Sequence, residues 1–303
     1  MPIELHNGRS IYLMNTPLLE VDIPGIPRYA RGKIRDVFKV EDGMLVVTTD
    51  RVFLFDQVYP EGLAGKGKTL TALTLRTFEL TGDIVPNFLI TSRVEKYPPP
   101  LNDYPEMLAE RSLLTEEITP IRLECVARGY LYGQAWRAYR DGDQSWLPPL
   151  PAGLELAGEL PRPIFTPARK DLGNNDENLS WNDLIKLVGE ERAEEVRNLT
   201  LKIYERMRNV FAQAGFILAD TKFEFGEKDG RILLINEACT PDSSRIWKES
   251  EYRPGRLQDS WDKEIMEDYL KVAGWSPDDP PIPLPTEILT KTRERFAELV
   301  SLI

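Results

Sequence analysis

The sequence predicts an α+β protein with two lobes, the first of which is rich in β-strands. Two hairpin patterns predict the strands, one in residues 27–60 and one in residues 216–236. Apolar residues at helical spacing predict helices before and after the second hairpin. The length of 303 residues, of which 42% are hydrophobic, suits one bilobal domain or two closely associated domains. We expect an N-terminal β-rich lobe over residues 1–115 and a larger C-terminal lobe over residues 116–303.

The N-terminal half of the chain contains the first hairpin and a helix. Apolar and charged side chains alternate over residues 32–40, as in a half-buried strand, and Glu41-Asp42-Gly43 is a turn signal before a β-branched return strand at 44–49. Gly65-Lys66-Gly67-Lys68 precedes a helix that we expect over about residues 69–80. Residues 98–120 are rich in proline and charge, and we expect them to connect the lobes.

The C-terminal half alternates strands, helices and a loop. The further predicted elements are a strand at 121–127, a short helix at 131–140, a loop at 146–168, a long helix from Ser180 to Gly215, a hairpin at 216–226 and 231–236, and helices at 262–272 and 286–302. The loop is predicted because its residues are rich in proline and glycine and show no helical or strand periodicity. Ser180, with Asp183 three residues later, predicts a capped start for the long helix.

The second hairpin carries the most informative charged side chains. Because side chains alternate along a strand, Asp220, Lys222 and Glu224 share one face, and Asn236 and Glu237 follow on the return strand. Two carboxylates that flank a lysine are suited to a magnesium nucleotide, since hard oxygens bind the metal and the ammonium offsets phosphate charge. A solvated face with cross-strand ion pairs is the alternative.

Three other polar segments are candidates for binding anions. Lys33, Arg35 and Asp36 follow Gly32, where a small residue lets a ligand approach the backbone. The segment from Thr240 to Arg245 combines hydroxyls, amides and a guanidinium on a turn. Residues 170–178 form a dense polar loop. An exposed strand face, a polar turn and an exposed loop are the respective alternatives.

Composition excludes several classes of function. His6 is the only histidine, and Cys125 and Cys239 lack metal-site spacing, so a histidine triad or a Cys/His metal site is disfavoured. The net charge of −11 disfavours a nucleic-acid partner. No apolar run reaches the roughly 20 residues that span a bilayer, and residues 1–10 are polar. We therefore expect a soluble cytoplasmic protein without membrane or nucleic-acid partners, whose oligomeric state the sequence does not predict.

The segments together, in order and along nearly the whole chain, resemble the phosphoribosylaminoimidazole-succinocarboxamide (SAICAR) synthase family. The matching segments are Gly32 to Asp36, Asp50-Arg51 to Phe55-Asp56, Gly65 to Lys68, Asp83 to Asn87, Arg128-Gly129-Tyr130, Pro163 to Pro167, Asp176-Glu177-Asn178, Ala219 to Gly226, Thr240 to Arg245 and Asp262-Lys263. Ordered matches at this density are specific. The resemblance implies a C-terminal lobe of ATP-grasp-like or kinase-like arrangement, with ATP between the lobes.

The resemblance also implies a reaction and roles for residues. The expected enzyme is an ATP- and Mg²⁺-dependent carbon–nitrogen ligase that phosphorylates the carboxylate of carboxyaminoimidazole ribotide and then joins it to aspartate. Asp220 and Lys222 are the expected catalytic residues, and Glu224 and Asn236 the expected metal ligands. The resemblance places the nucleotide at Lys33, Arg35, Asp36, Glu224, Asn236 and Glu237. It places the other substrates at Arg128, Gln134, Asp176, Glu177, Asp242, Ser243, Ser244 and Arg245.

Several positions depart from the family pattern at the edges of the expected site. Asn236 stands where the family usually has aspartate, and Gln134 replaces a serine. Phe53 and Leu54 replace Ser-Ala, Tyr132 replaces a small hydroxyl residue, and Asn175 replaces a histidine. These departures keep two alternatives open. One is a paralogue that acts on a related purine-like ribotide in nucleoside natural-product synthesis, and the other is a ribotide or nucleotide binder that does not ligate.

Overall fold

The computed structural model describes residues 16–41, 43–143, 145–170 and 177–303. They fall into two compact units. The first unit contains the described residues up to 73 together with 89–117 and 263–303, and the second contains 74–88 and 118–262. The C-terminal residues therefore fold with the N-terminal part of the chain. The lobe boundary at residues 115 and 116 stays a prediction.

Strands and helices alternate irregularly along the chain. The strands are β1 (Arg28–Arg31), β2 (Arg35–Val40), β3 (Gly43–Thr48), β4 (Arg51–Leu54), β5 (Gln57–Gly62), β6 (Leu89–Thr91), β7 (Ser112–Thr115), β8 (Thr119–Pro120), β9 (Leu123–Tyr130), β10 (Glu159–Arg169), β11 (Glu177–Asn178), β12 (Phe216–Lys228), β13 (Arg231–Ile235) and β14 (Ser244–Lys248). The helices are α1 (Lys66–Thr81), α2 (Pro105–Leu108), α3 (Gly133–Asp141), α4 (Trp181–Val188), α5 (Glu190–Gln213), α6 (Glu264–Val272) and α7 (Thr286–Leu302). This mixture confirms the predicted α+β class.

The first unit is built on an antiparallel sheet with the strand order β1-β2-β3-β7-β6. Phe38, Leu45 and Val47 lie in the apolar core of this sheet. A second core packs α6 and α7 against the β4–β5 hairpin, through residues that include Leu54, Met266 and Phe296. The predicted first hairpin is confirmed by the β2–β3 register, which pairs Val40 with Gly43. Asp42 of its turn lies outside the described residues.

The second unit is built around β12, which pairs with β9, β13, β14 and β8. Helix α5 packs against β12, and the Tyr204 hydroxyl donates a hydrogen bond to the Leu218 carbonyl oxygen at 2.7 Å. The predicted second hairpin is confirmed by the register that pairs Lys228 with Arg231. Its two-residue turn, Asp229-Gly230, has positive φ at both positions, as in a type I′ hairpin turn.

Four details of the sequence prediction were wrong. Lys33 lies in the bend between β1 and β2 and not in a strand, because the Gly32 N–H bonds the Arg35 carbonyl across a turn. Lys66, Gly67 and Lys68 form the first turn of α1 and do not precede it. Much of the predicted loop at 146–168 is strand β10, whose carbonyls still accept hydrogen bonds despite its prolines. The long helix is divided by Gly189, whose φ of +84° and ψ of 156° are not helical.

The two cysteines are both buried thiols of the second unit. Cys125 lies in β9 and Cys239 follows β13. Burial raises the pKa of each thiol to about 12. Both thiols are therefore unreactive while they stay buried. None of the helices in the described residues combines the length and apolar composition needed to cross a membrane.

Candidate active site

The polar face of β12 is the centre of the candidate site in the second unit. Phe223 and Phe225 are fully buried on the core side. Asp220 is buried, Glu224 is half-buried and Lys222 is exposed. The predicted alternation is therefore confirmed, and antiparallel pairing sets Asp220 opposite Arg128 of β9.

Two guanidinium groups converge on one carboxylate oxygen. Arg128 Nη1 lies 3.1 Å and Arg245 Nη1 2.8 Å from Asp220 Oδ2. Arg128 also donates from Nε to the Thr166 hydroxyl at 2.9 Å. The Arg128 and Asp220 side chains are only 7% and 6% exposed, whereas that of Arg245 is 28% exposed. Asp220 therefore holds two cations in place, and Arg245 can also reach an anion from solvent.

The pKa of Asp220 is set by opposing effects. Burial raises it, but the charges of Arg245 and Arg128 and the hydrogen bond from Arg245 lower it, and the net direction is downward. Asp220 is therefore an anion at neutral pH. It is suited to orienting cations and not to donating a proton.

Arg245 is fitted closely into its position by the segment that precedes α3. Its guanidinium lies over the Tyr132 ring, 5.5 Å from the centroid. Gly133 has φ +58°, and a Cβ at this position would lie 2.7 Å from Arg245 Nη2. A side chain at position 133 would therefore displace the guanidinium. Gln134, which we expect to bind substrate, is exposed in the first turn of α3.

A second cluster lies farther along the same strand. Glu224 Oε2 accepts a hydrogen bond from Asn236 Nδ2 at 2.7 Å and lies 2.6 Å from Lys170 Nζ. Asn236 has φ +59°, a left-handed conformation that asparagine tolerates well. Lys222 pairs with Glu124 of β9 at 2.8 Å, and not with the carboxylates that flank it in sequence. Among the described residues, no three acidic, histidine or cysteine side chains are grouped as a metal site.

The turn before β14 satisfies many of its own polar groups. The Thr240 hydroxyl donates to Glu237 Oε2 at 2.8 Å and accepts from the Asp242 N–H at 3.2 Å. The Ser243 N–H donates to the Thr240 carbonyl oxygen at 3.1 Å. The buried Ser244 hydroxyl donates to the Thr221 hydroxyl at 2.8 Å. These bonds fix the turn immediately before Arg245.

Three predicted nucleotide residues lie in the first unit. Lys33 is exposed, 4.4 Å above the Phe53 ring and 3.8 Å from Asp56. Arg35 is half-buried, and Asp36 has no exposed surface. Asp36 Oδ1 accepts from Arg51 Nη2 at 3.0 Å. The buried position of Asp36 points to a role in holding Arg51.

Arg51 organises the bend that carries Lys33. Its guanidinium donates to the carbonyl oxygens of Lys33 at 3.1 Å, Leu19 at 2.8 Å and Gly32 at 3.1 Å. A buried guanidinium that donates four hydrogen bonds is a rigid support, because each N–H that loses its acceptor costs desolvation. The bend at residues 32–34 is therefore positioned from within the unit.

The predicted rim of the substrate site is only partly described. Asp176 and Asn175 lie outside the described residues. Glu177 lies in β11, with its side chain 68% exposed and 4.0 Å from the Arg169 guanidinium. The sequence analysis assigned no role to Thr166, Glu124 or Arg51, and it named Lys170 only as part of the polar loop at 170–178. Alternation along β9 could have found Glu124, because it is four residues from Arg128 and so shares its face.

Comparisons with known proteins agree with the resemblance read from the sequence. The SAICAR synthetase family model matches residues 28–279. Phosphoribosylaminoimidazole-succinocarboxamide synthase of Trichlorobacter lovleyi is 42% identical over 94% of this chain and 97% of its own length. That of Syntrophobacter fumaroxidans is 43% identical over 93% and 94%. The structure of the Saccharomyces cerevisiae SAICAR synthase complexed with SAICAR is similar, with TM-score 0.85 and 34% identity over 94% of this chain and 97% of that one.

Proposed function

The chain belongs to the SAICAR synthetase family, and from this premise we propose that it ligates aspartate to the carboxylate of carboxyaminoimidazole ribotide at the expense of ATP. The observation that carries the proposal is the pair Arg128 and Arg245 on a single oxygen of Asp220. Two fixed guanidiniums, one of them partly open to solvent, are suited to an anionic ribotide. We further propose that the protein acts in the cytoplasm.

The reaction requires two displacements. A carboxylate oxygen of the ribotide attacks the γ-phosphorus of ATP, and ADP leaves. The amino nitrogen of aspartate then attacks the acyl carbon, inorganic phosphate leaves, and the nitrogen loses a proton as the amide forms. All three ligands are anionic, so the protein has to align them and offset their charge.

The second unit supplies the proposed ribotide site. Arg128 and Arg245 bind the ribotide and its phosphate, while Asp220 orients both guanidiniums. Lys222 stands two residues from Asp220 and is half exposed, so it can leave Glu124 to neutralise the transferred phosphoryl group. The Asp242-Ser243-Ser244 turn, which its own hydrogen bonds fix in place, holds Arg245 beside this site.

The first unit contains further residues that we propose bind the nucleotide. Lys33 and Arg35 flank the bend at residues 32–34, and Lys33 is the more exposed. We propose that they meet ATP phosphates, and that Asp36 contributes indirectly by holding Arg51. The Lys33 ammonium lies over the Phe53 ring and 3.8 Å from Asp56, so an ATP phosphate has to compete with both.

The residues around Glu224 fit a nucleotide-borne Mg²⁺ ion. Glu224 and Asn236 offer hard oxygens, and Mg²⁺ commonly takes one or two protein ligands together with phosphates and waters. The ammonium of Lys170 at 2.6 Å shows that this carboxylate already faces a cation. When bound there, Mg²⁺ would offset charge on the nucleotide phosphates. Glu224 and Asn236 would hold it, and Glu237 would stand beside them.

A related ribotide is the second candidate substrate. Tyr132, which departs from the family pattern, is 3% exposed and lies directly beneath Arg245. A ring in this position shapes the floor of the anion site, where the family usually has a small hydroxyl residue. The Tyr132 ring favours a changed ribotide substrate. The intact pair of guanidiniums argues against a binder that does not ligate, so the paralogue is the preferred alternative.

The deciding experiment combines the purified protein with ATP, Mg²⁺, aspartate and carboxyaminoimidazole ribotide. We expect release of ADP and formation of the succinocarboxamide, measured by chromatography and mass spectrometry. ADP release with a different ribotide and none with this one would favour the paralogue. Tight ligand binding without turnover under every combination would overturn the ligase proposal.

The metal ligands can be tested separately. Asn236→Asp adds a second carboxylate beside Glu224, so half-maximal activity should need less Mg²⁺ than in the wild type. The measurement is initial rate against Mg²⁺ concentration at saturating ATP, and Asp229→Asn in the hairpin turn serves as the control. An unchanged Mg²⁺ requirement in Asn236→Asp would remove this residue from the metal site.

A further inference from the structure

A pocket of about 170 Å³ lies within the first unit, and none of its lining residues is one to which the ligase proposal assigns a role. It is formed where α1 begins, beside the residues that precede β7 and the last three turns of α7. Lys66, Arg111, Arg293 and Phe296 are among its lining residues. Because all lining residues belong to the first unit, its shape depends on that unit alone.

The charged part of the lining is strongly cationic. Lys66, Lys68, Arg111 and Arg293 line the pocket with a single acidic residue, Glu110. Lys68 and Glu110 form an ion pair at 2.9 Å, so they offset each other. Arg111 is paired with Asp50, which lies outside the lining, and the Lys66 ammonium donates to the Arg51 carbonyl oxygen at 3.1 Å. Arg293 is therefore the cation of the lining that can serve an incoming anion.

Arg111 and Arg293 differ in how they are bonded. Arg111 is 2% exposed, and its Nη1 lies 3.1 Å from Asp50 Oδ1 without forming a hydrogen bond. Arg293 is half-buried and makes no hydrogen bond or ion pair with any residue that the structure describes. A half-buried guanidinium has five N–H donors to satisfy. Arg293 therefore has the capacity to bind an anion that enters the pocket.

Apart from Gly65 and Thr69, the rest of the lining is apolar. It consists of Leu63, Ala64, Ala72, Phe296, Ala297 and Val300. Ligand pockets characteristically combine apolar walls with a few converging polar groups. An apolar cavity of about 150 Å³ is large enough to hold benzene. The present pocket can therefore hold a ring-sized apolar body.

We propose that this pocket binds a small organic monocarboxylate, with its apolar body against α7 and its carboxylate at Arg293. The first turn of α1 also faces the pocket through Lys66 and Lys68, and the start of a helix favours negative charge. An inorganic anion would leave the apolar wall unused. A neutral ring would leave Arg293 without an acceptor. A ligand that carries both groups satisfies both parts of the pocket.

The first experiment compares three probes by calorimetric titration of the full chain. Benzoate has the ring and the charge, benzyl alcohol has the ring alone, and inorganic phosphate has the charge alone. We expect saturable binding of benzoate, at least tenfold tighter than that of either other probe. Equal affinity for benzoate and phosphate, or no saturable binding of benzoate, would overturn the proposal.

The second experiment locates the site with variants on one helix. Arg293→Gln should weaken benzoate binding about tenfold, since a charge-assisted hydrogen bond is lost. Ala297→Leu should weaken it by filling the pocket while keeping the charge. Arg295→Gln, the same change two residues away and outside the lining, should leave binding unchanged. If Arg293→Gln and Arg295→Gln bind benzoate equally, the ligand is elsewhere. None of these readouts requires ligase activity.

Discussion

Each unit contains a buried cluster of arginines and aspartates, and the two clusters are bonded differently. In the first unit the guanidiniums do not share an oxygen: Arg51 lies at Oδ1 of Asp36, Arg28 is 3.7 Å from its Oδ2, and Arg111 lies at Asp50. Both carboxylates also accept backbone N–H groups, from Val21 for Asp36 and from Leu18 and Gly67 for Asp50. In the second unit Arg128 and Arg245 share one oxygen of Asp220.

The difference separates a structural cluster from one that can bind a ligand. The Arg51 side chain is 3% exposed, and its N–H groups are engaged by backbone and Asp36. The Arg245 side chain is 28% exposed, lies over the Tyr132 ring and donates to the oxygen of Asp220 that it shares with Arg128. A guanidinium that is enclosed and bonded mainly to the backbone stabilises the fold. One that is anchored but open can also serve an incoming anion.

The largest effect is expected from removing the enclosed guanidinium. Arg51→Met leaves Asp36 buried without its cation and releases the bend at 32–34, so the free energy of unfolding should fall by about 3–5 kcal/mol. Urea unfolding followed by circular dichroism measures this loss. Arg31→Met, an exposed arginine of β1, is the control and should change stability by less than about 0.5 kcal/mol. A loss below about 1 kcal/mol in Arg51→Met would contradict the structural role.

The complementary change removes the open guanidinium. Arg245→Met should lower the free energy of unfolding by only about 1 kcal/mol or less, because Asp220 keeps Arg128. It should lower kcat/KM for the ribotide about 10- to 100-fold, because a hydrogen bond between charged groups is lost. Arg256→Met, at an exposed position of the same unit, should do neither. A large loss of stability with unchanged kinetics would show that Arg245 has a structural role and does not bind the ribotide.

The smallest effect concerns the dependence of stability on pH. Since the folded protein holds the pKa of Asp220 below its ordinary value, this group stabilises the fold fully above about pH 4, the unfolded value. That contribution is lost as pH falls through the lowered pKa. Removing Arg245 raises this pKa, so the contribution in Arg245→Met should be smaller and its acid loss should begin at higher pH. Unfolding free energies between pH 7 and pH 3 measure this. Identical pH profiles would mean that Arg245 does not act on Asp220.

The sequence predicted well those features that depend on local periodicity. Alternation along β12 placed Asp220 and Glu224 on one face, and helical spacing gave the observed bounds of α7, Thr286–Leu302. Ser180 was predicted to cap a helix, and its hydroxyl oxygen accepts the Asp183 N–H at 3.1 Å. In each case the interacting residues are neighbours in the chain. Their geometry follows from the repeat of the strand or helix.

Features that depend on distant partners were not predictable. Asp36 reads as a charge on an exposed strand face, but it is enclosed because Arg51, fifteen residues later, neutralises it. Strand β10 was hidden by its prolines, since their missing N–H groups argue against a strand, although Leu179 still donates to the Pro167 carbonyl oxygen at 2.9 Å. Lys170 and Glu224 are distant in sequence, and only the fold of the sheet brings their side chains together.

Because Cys125 and Cys239 are buried, modification of their thiols reports local opening of the folded protein. Neither thiol can ionise or meet a reagent while β9 and the segment after β13 stay packed, so iodoacetamide can modify the chain only after local opening. Both thiols belong to one unit, and the sequence has no other cysteine. The alkylation rate therefore measures how readily the second unit opens. Opening of the first unit exposes no cysteine and is not detected.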